Sequence, residues 1–139
     1  MKILLDTNFI VSYILPNDSL HYRSVVLDEK YNFESKKCYV SNQIITEVMN
    51  ILGQKDSVSL ALDTYFMLND CFNIINEYEI PDFNDEVLTT YKSLNRKNAK
   101  HKLGFTDCAI ITTAKLYNID AIVTFDKEFL KNDVINIIH

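Results

Sequence analysis

Residues 3–8 read Ile3-Leu4-Leu5-Asp6-Thr7-Asn8, an apolar run that stops abruptly at polar side chains. A short, continuous apolar run is typical of a strand that is buried on both faces of a parallel sheet. The same pattern returns near the other end of the chain, where Ala121-Ile122-Val123-Thr124-Phe125-Asp126 also ends in an acid. Since the carboxyl ends of parallel strands share one edge of a sheet, both segments predict an acid at that edge.

The rest of the chain alternates between strand-like runs and helical patterns, which favours an α/β fold. Further strands are predicted over residues 38–41, 72–76 and 134–138, and helices over 9–15, 19–31, 42–52, 57–71, 83–94 and 107–117. Gly53 is expected to end the helix over residues 42–52, and Thr106 is expected to cap the helix over 107–117. We predict a three-layer α/β sandwich with a central, mainly parallel sheet flanked by helices, formed as one domain over residues 1–139.

The composition limits the class of protein. The chain of 139 residues is 47% hydrophobic and 24% charged, with a net charge of −5, which is ordinary for a globular domain. No apolar run reaches the roughly 20 residues that a membrane span needs, and Asp6 comes too early for the apolar core of a signal peptide. Cys38, Cys71 and Cys108 are widely spaced, which argues against a thiolate zinc site and for a reducing compartment. We therefore expect a cytoplasmic protein without a membrane partner.

Two further acids are predicted at the edge where Asp6 and Asp126 lie. Glu47 is one turn into the helix that follows the strand over 38–41, and Asp107 opens an apolar helix. Carboxylates crowded into one cleft repel each other by about 4 kcal/mol per close pair at an effective dielectric constant near 20. A divalent cation relieves this repulsion, so the four acids predict an oxygen-ligand metal site of the kind that hydrolyses phosphodiesters.

Each acid also has an ordinary structural explanation. Asp6 and Asp126 can cap the segments that follow them, Glu47 can belong to a capping box, and Asp107 suits the first turn of a helix. These explanations apply to each residue separately. Their common location at one predicted edge favours the metal site.

The most basic stretch of the chain precedes Asp107. No acid occurs between Val87 and Thr106. Five cations are found there instead: Lys92, Arg96, Lys97, Lys100 and Lys102. Such a run is often only a solvated face, and the alternative is a strip that contacts RNA phosphates beside the acidic site.

The predicted helix over residues 57–71 is apolar almost all round. A helix without a wide polar face is buried or covered by a partner, and the sequence leaves core packing and a partner groove both open. Within this helix Tyr65, Phe66 and Met67 are the predicted partner-binding residues, because large side chains of this kind anchor interfaces.

The motifs taken together resemble the PIN domain, and most closely the small VapC-type toxins of bacterial and archaeal toxin–antitoxin pairs. The resemblance rests on four short motifs in order along the whole chain: Asp6-Thr7-Asn8, Thr46-Glu47, Phe105-Thr106-Asp107 and Thr124-Phe125-Asp126-Lys127-Glu128-Phe129. It implies that Asp6, Glu47 and Asp107 are the core acids of a Mg²⁺ or Mn²⁺ site. It also implies that Asp126 is the fourth acid, with Thr7, Asn8 and Thr124 as supporting polar residues.

The resemblance implies an activity and partners as well. The expected protein is a metal-dependent endoribonuclease that leaves 5′-phosphate and 3′-hydroxyl ends, restrained by an antitoxin protein and assembled as a homodimer. Two alternatives remain. One is a PIN-like module that binds RNA or protein without catalysis. The other is a phosphatase of a different acidic-cluster family, which needs an Asp two residues after Asp6, where this chain has Asn8.

Overall fold

The computed structural model describes residues 1–96 and 102–139, and it builds them into one parallel sheet with helices around it. The strands are β1 (Lys2–Leu5), β2 (Lys37–Ser41), β3 (Asn73–Ile75), β4 (Ala121–Val123) and β5 (Asn136–Ile138). The α-helices are α1 (Thr7–Ile14), α2 (His21–Tyr31), α3 (Asn42–Lys55), α4 (Val58–Cys71), α5 (Phe83–Arg96) and α6 (Phe105–Leu116). Three short 3₁₀ helices span Phe33–Ser35, Glu77–Glu79 and Lys127–Lys131.

The sheet has the strand order β3-β2-β1-β4-β5, and every neighbouring pair is parallel. The first strand is therefore central, with Leu4 in register with Tyr39 on one side and with Ile122 on the other. Its side chains are fully buried at Ile3 and Leu4, as expected for a strand covered by helices on both faces. The predicted α/β sandwich with a parallel sheet is thus confirmed.

This topology brings the ends of three strands together. β1 leads directly into α1, β2 into α3, and β4 into the 3₁₀ helix over Lys127–Lys131. Because all three strands run in the same direction, the residues that follow them lie at one edge of the sheet. This edge carries the polar site described below.

Two predicted helix ends are wrong. Gly53 does not end its helix, because α3 continues through it to Lys55, where the N–H of Asp56 closes the last turn on the carbonyl of Leu52. Fully buried Leu52 holds this turn against the core, which offsets the cost of about 1 kcal/mol for a glycine inside a helix. Thr106 is not a cap either, since α6 begins at Phe105 with Gly104 before it.

The apolar helix α4 packs against α3, but it buries only a narrow face. Ala61, Thr64 and Leu68 are its buried residues. Val58 and Phe66, in contrast, are 68% and 60% exposed. Core packing therefore explains one stripe of this helix and leaves a second apolar stripe in solvent.

No helix within residues 1–96 and 102–139 has the length and apolar character that crossing a bilayer requires.

Candidate active site

Asp6 is the most tightly held of the predicted acids. Its backbone N–H donates to the carbonyl oxygen of Val123 at 3.0 Å, which ties it to the end of β4. Both carboxylate oxygens accept hydrogen bonds, Oδ1 from the N–H of Thr7 at 2.8 Å and Oδ2 from the hydroxyl of Thr124 at 2.7 Å. The first of these bonds caps α1, so the capping role of Asp6 is confirmed, and it leaves the carboxylate buried in one fixed orientation.

Glu47 is joined to Asp6 through Thr7. The Thr7 hydroxyl donates to Oε2 of Glu47 at 2.6 Å, while its N–H serves Asp6. The predicted capping box is wrong, because Glu47 is the sixth residue of α3 and the cap is Ser41, which accepts from the N–H of Ile44. The side chain of Glu47 is thus free of any helix-capping duty and points to the end of the sheet.

Asn8 and Thr124 organise the fourth acid. The Asn8 amide oxygen accepts from the N–H of Phe125 at 3.0 Å, and its Nδ2 donates to Thr124 Oγ1 at 3.3 Å. Thr124 Oγ1 in turn accepts from the N–H of Asp126 at 3.1 Å. Asp126 Oδ1 accepts from the N–H of Glu128 at 2.9 Å, which confirms its capping role. These bonds tie the end of β4 to the start of α1.

The four predicted acids surround one cavity of about 300 Å³. Its wall also includes Thr7, Asn8, Asp18, Lys55 and Thr106. Lys55 was not predicted, although it follows Glu47 by eight residues and so shares its face of α3. The wrong helix end at Gly53 hid this signal. Asp18 was missed as well, because the turn before α2 gives no pattern that places it.

The carboxylates influence one another electrostatically. The pKa of Asp6 is raised to about 6, mainly by burial; Glu47 and Asp107 also raise it, and the hydrogen bonds from Thr124 and Thr7 lower it. Burial also raises the pKa of Asp107, with further contributions from Asp126, Glu128 and Glu47 and an opposing one from a Gly104 backbone hydrogen bond. The cavity is therefore a region of concentrated negative charge.

Glu128 belongs to this charged region and was not predicted. It is partly exposed and pairs with Lys131 in the same 3₁₀ helix. The pair places a cation close to the acids without entering the cavity wall. The only sequence signal for Glu128 was its position two residues after Asp126, in a short turn that Asp126 was already expected to cap.

The donor atoms suit a hard cation, since carboxylate and hydroxyl oxygens are what Mg²⁺ and Mn²⁺ prefer. Within residues 1–96 and 102–139, however, no three acids, histidines or cysteines stand close enough together to coordinate one ion directly. The acids line the cavity instead of meeting at one point. This arrangement fits a cation that keeps several of its waters, as Mg²⁺ usually does.

The predicted RNA-contacting cations lie apart from this cavity. Lys92 and Arg96 are exposed on α5, and Lys102 is exposed before α6. None of these three belongs to the cavity wall. Lys97 and Lys100 lie outside the described residues.

The predicted partner-binding residues divide between two surfaces. Tyr65 and Phe66 are exposed, and their rings meet edge to face with centroids 5.7 Å apart. Met67 is half-buried and lines a separate apolar cavity of about 370 Å³ together with Phe9 and Tyr13. The first two residues are thus open to solvent on α4, and the third lies at the wall of the neighbouring apolar cavity.

Fold and site define a class of protein: a parallel α/β domain in which acids from four segments surround a cavity at the carboxyl edge of the sheet. The PIN domain family model matches residues 3–135, and the chain belongs to this family. Comparison with curated protein sequences gives no significant match.

Solved structures with the same fold include VapC20 of Mycobacterium tuberculosis, a toxin that cleaves the sarcin-ricin loop. It has a TM-score of 0.74 and 16% identity, and the match covers 96% of each chain. DNA-bound VapBC of Salmonella typhimurium has a TM-score of 0.72 and 19% identity over 99% of this chain and 97% of that one. FitAcB of Neisseria gonorrhoeae has a TM-score of 0.71 and 19% identity over 99% and 96%. At these identities the likeness shows the fold.

Proposed function

We propose that this chain is a metal-dependent endoribonuclease that hydrolyses RNA phosphodiester bonds and acts as the toxin of a toxin–antitoxin pair. The observation that carries the proposal is the cavity in which Asp6, Glu47, Asp107 and Asp126 face one another. Membership of the PIN domain family supports it, and so does the fold shared with VapC20, a toxin that cleaves the sarcin-ricin loop.

We propose that the four acids bind Mg²⁺ or Mn²⁺, either directly or through water molecules. A cation bound there supplies positive charge at the scissile phosphate and activates water for in-line attack. Thr7 fixes Asp6 and Glu47 relative to each other, since it donates to both carboxylates. Thr124 does the same for Asp6 and Asp126, because its hydroxyl contacts the carboxylate of one and the backbone N–H of the other. Both threonines thus position the acids without reacting.

Lys55 is the proposed contact to a neighbouring phosphate. It is exposed and lines the acidic cavity about 12 Å along α3 from Glu47, at about 1.5 Å per residue. If the scissile phosphate of an extended RNA strand lies at the acids, another phosphate further along that strand lies beside Lys55. The exposed cations Lys92, Arg96 and Lys102 remain predicted RNA contacts for more distant parts of the strand.

The proposed partners are an antitoxin protein and a second copy of the chain. Several solved structures of this fold are toxin–antitoxin complexes, including one from Klebsiella pneumoniae. The exposed apolar stripe of α4, which includes Tyr65 and Phe66, is the proposed contact for an antitoxin helix, and Met67 extends it into the adjacent apolar cavity. We also propose a homodimer, a cytoplasmic location and a single domain over residues 1–139.

The decisive experiment is RNA cleavage by the purified chain, with Mg²⁺ or Mn²⁺ and with a chelator. The 5′ ends of total RNA are sequenced after incubation with the wild type, Asp107→Asn and the exposed-acid control Asp63→Asn on α4. We expect discrete new 5′-phosphate ends with the wild type and the control only, and none with the chelator. Cleavage by Asp107→Asn, or in the chelator, rejects the mechanism.

One observation favours the alternative of a non-catalytic RNA-binding module, namely that the described acids do not form a compact coordination group. The same experiment separates the two functions. A chain that binds RNA with the same affinity in Mg²⁺ and in chelator, and produces no new 5′ ends, is the binding module.

A further inference from the structure

A second cavity of about 670 Å³ lies next to the acidic one and shares Thr106 with it. We call it the aromatic pocket. The residues of its wall that matter here are Gln43, Tyr78, Asp82, Asn84, Asp85 and Phe105. Its volume is in the range of pockets that hold small organic ligands, and no residue of its wall has a role in the proposed chemistry.

Two aromatic side chains in the pocket are exposed. Tyr78 is 80% exposed and Phe105 is 44% exposed. The Phe105 ring is held from one side by Tyr91, edge to face, with centroids 5.7 Å apart. A ring that is fixed by a neighbour yet open on another side can stack on a planar ligand at little cost in side-chain entropy.

The register of α3 sets the distance between the pocket and the acids. Gln43 in the aromatic pocket and Glu47 in the acidic cavity are four residues apart on one helix face, so their Cβ atoms are separated by about 5–6 Å. Glu77 fixes this end of α3, because its buried carboxylate accepts from the N–H groups of Asn42, at 2.9 Å, and Gln43, at 3.4 Å. A ligand in the pocket is thus about one side chain away from the acids.

The charge of the wall decides which part of a nucleotide fits. Asp82 and Asp85 make the pocket acidic, which repels phosphate. The same carboxylates accept hydrogen bonds from base amino groups, and the amides of Gln43 and Asn84 can pair with base edges. Stacking rings, acceptors and amides together suit a nucleobase with an exocyclic amino group better than they suit the RNA backbone.

We propose that the aromatic pocket is a nucleobase subsite, which takes the base of the nucleotide adjacent to the scissile phosphate and prefers adenine, cytosine or guanine over uracil. This subsite rests on the proposed ribonuclease function and adds a specificity-determining site to it. Phe105 and Tyr78 stack on the base, and Asp82 and Asp85 select its amino group.

The test uses a randomised RNA dodecamer library and a cleaved member of it. We expect Phe105→Ala and Tyr78→Ala each to lower kcat/KM by roughly 5- to 150-fold, the range for loss of one base–aromatic stack, with Phe105→Trp near the wild type. Tyr22→Ala, which removes an aromatic that is also 80% exposed but lies on α2 outside the pocket, should change nothing. The double variant Asp82→Asn with Asp85→Asn should raise cleavage of RNAs with uracil next to the scissile phosphate, relative to RNAs with adenine, cytosine or guanine there.

Abasic substrates separate stacking from a structural effect. Two RNAs carry an abasic nucleotide, one immediately 5′ and the other immediately 3′ of the cleaved bond. For one of these two RNAs, the kcat/KM of the wild type should fall by the same factor that Phe105→Ala causes on the intact RNA. Phe105→Ala should then cause no further loss on that RNA. If Phe105→Ala lowers kcat/KM by its full factor on both abasic RNAs, the subsite is overturned. An unchanged base preference in every variant also overturns it.

The outcomes for the subsite and for the ribonuclease function are distinct. If the wild type cuts RNA and the pocket variants cut equally well, only the subsite fails. If the wild type cuts no RNA, binding of a labelled dodecamer decides, because equal affinity for the wild type and Phe105→Ala also overturns the subsite. If Phe105→Ala instead dissociates a dimer in sedimentation while base preference is unchanged, the pocket is an interface between copies of the chain and the subsite is wrong.

Discussion

Replacing Asp6 with Asn should stabilise the fold in the absence of metal while it destroys the proposed activity. Asp6 is only 6% exposed, and burial among other acids raises its pKa to about 6. The folded chain therefore binds a proton more readily than the unfolded chain, whose aspartate titrates near 3.9. For a raised carboxyl pKa, stability is greatest below about pH 4 and is lost as the pH rises through about 6.

The magnitude follows from the size of the shift. A rise of about two pKa units corresponds to about 3 kcal/mol of charge-burial cost above pH 6, at 1.36 kcal/mol per unit. The neutral amide avoids this cost but replaces one of two accepting oxygens by a donor, which affects the bond from Thr124. The Thr124 hydroxyl can turn to Asn8 Oδ1, 3.4 Å away, so we subtract only about 1 kcal/mol for this bond. The expected gain is about 2 kcal/mol at pH 7.5.

Urea denaturation in chelator is the assay, with the wild type, Asp6→Asn and the exposed-acid control Asp63→Asn measured at pH 4.5 and 7.5. With an m-value of about 2 kcal/mol/M, the midpoint of Asp6→Asn should lie about 1 M above the wild type at pH 7.5. The difference should shrink towards zero or reverse at pH 4.5, where the wild-type carboxyl is protonated. A variant that is less stable than the wild type at pH 7.5 would show that the two hydrogen bonds outweigh the buried charge, and it would refute this reasoning.

Four further outcomes are expected. Asp107→Asn should lower RNA cleavage by at least roughly 100-fold without unfolding the chain, as judged by circular dichroism. Added Mg²⁺ should stabilise the wild type by about 2.7 kcal/mol at 100 times its dissociation constant and should stabilise Asp6→Asn much less, which thermal unfolding measures. Lys55→Ala should reduce the slope of log affinity against log salt for single-stranded RNA by about 0.7, whereas Lys55→Arg should keep it. Phe66→Ala should weaken antitoxin binding by about 2 kcal/mol in calorimetry, while Tyr22→Ala should leave it unchanged.

The architecture was predictable because the strands are short, apolar and buried on both faces. Ile3–Leu5 and Ala121–Val123 carry no polar residue, and a parallel sheet covered by helices on both faces hides such a run completely. Helix ends were less predictable, since local signals compete with tertiary packing. Gly53 has the sequence signature of a helix end, but buried Leu52 and the packing of α3 on α4 keep the helix intact to Lys55.

The location of the acids was predictable for a topological reason, whereas their contacts were not. A parallel sheet brings the residues after β1, β2 and β4 to one edge whatever their identity. The link through Thr7 between Asp6 and Glu47 depends on side-chain orientations that no spacing rule supplies. The aromatic pocket was missed for a similar reason, because Tyr78 and Phe105 come from segments 27 residues apart in the sequence, and the motif that contains Phe105 gives no indication that the two rings line one cavity.

The net charge of −5 is compatible with an RNA substrate because charge acts over a limited distance. At physiological ionic strength the Debye length is about 8 Å, so most exposed acids are screened from a strand that passes along the cavity. The contacts that we propose are local: Lys55 beside the acids, and the exposed rings of the aromatic pocket on their other side. Affinity built in this way owes more to stacking and to a few cations than to a broad basic surface. For an acidic chain, the arrangement along α3 from Gln43 through Glu47 to Lys55 is therefore a better guide to substrate binding than the total charge.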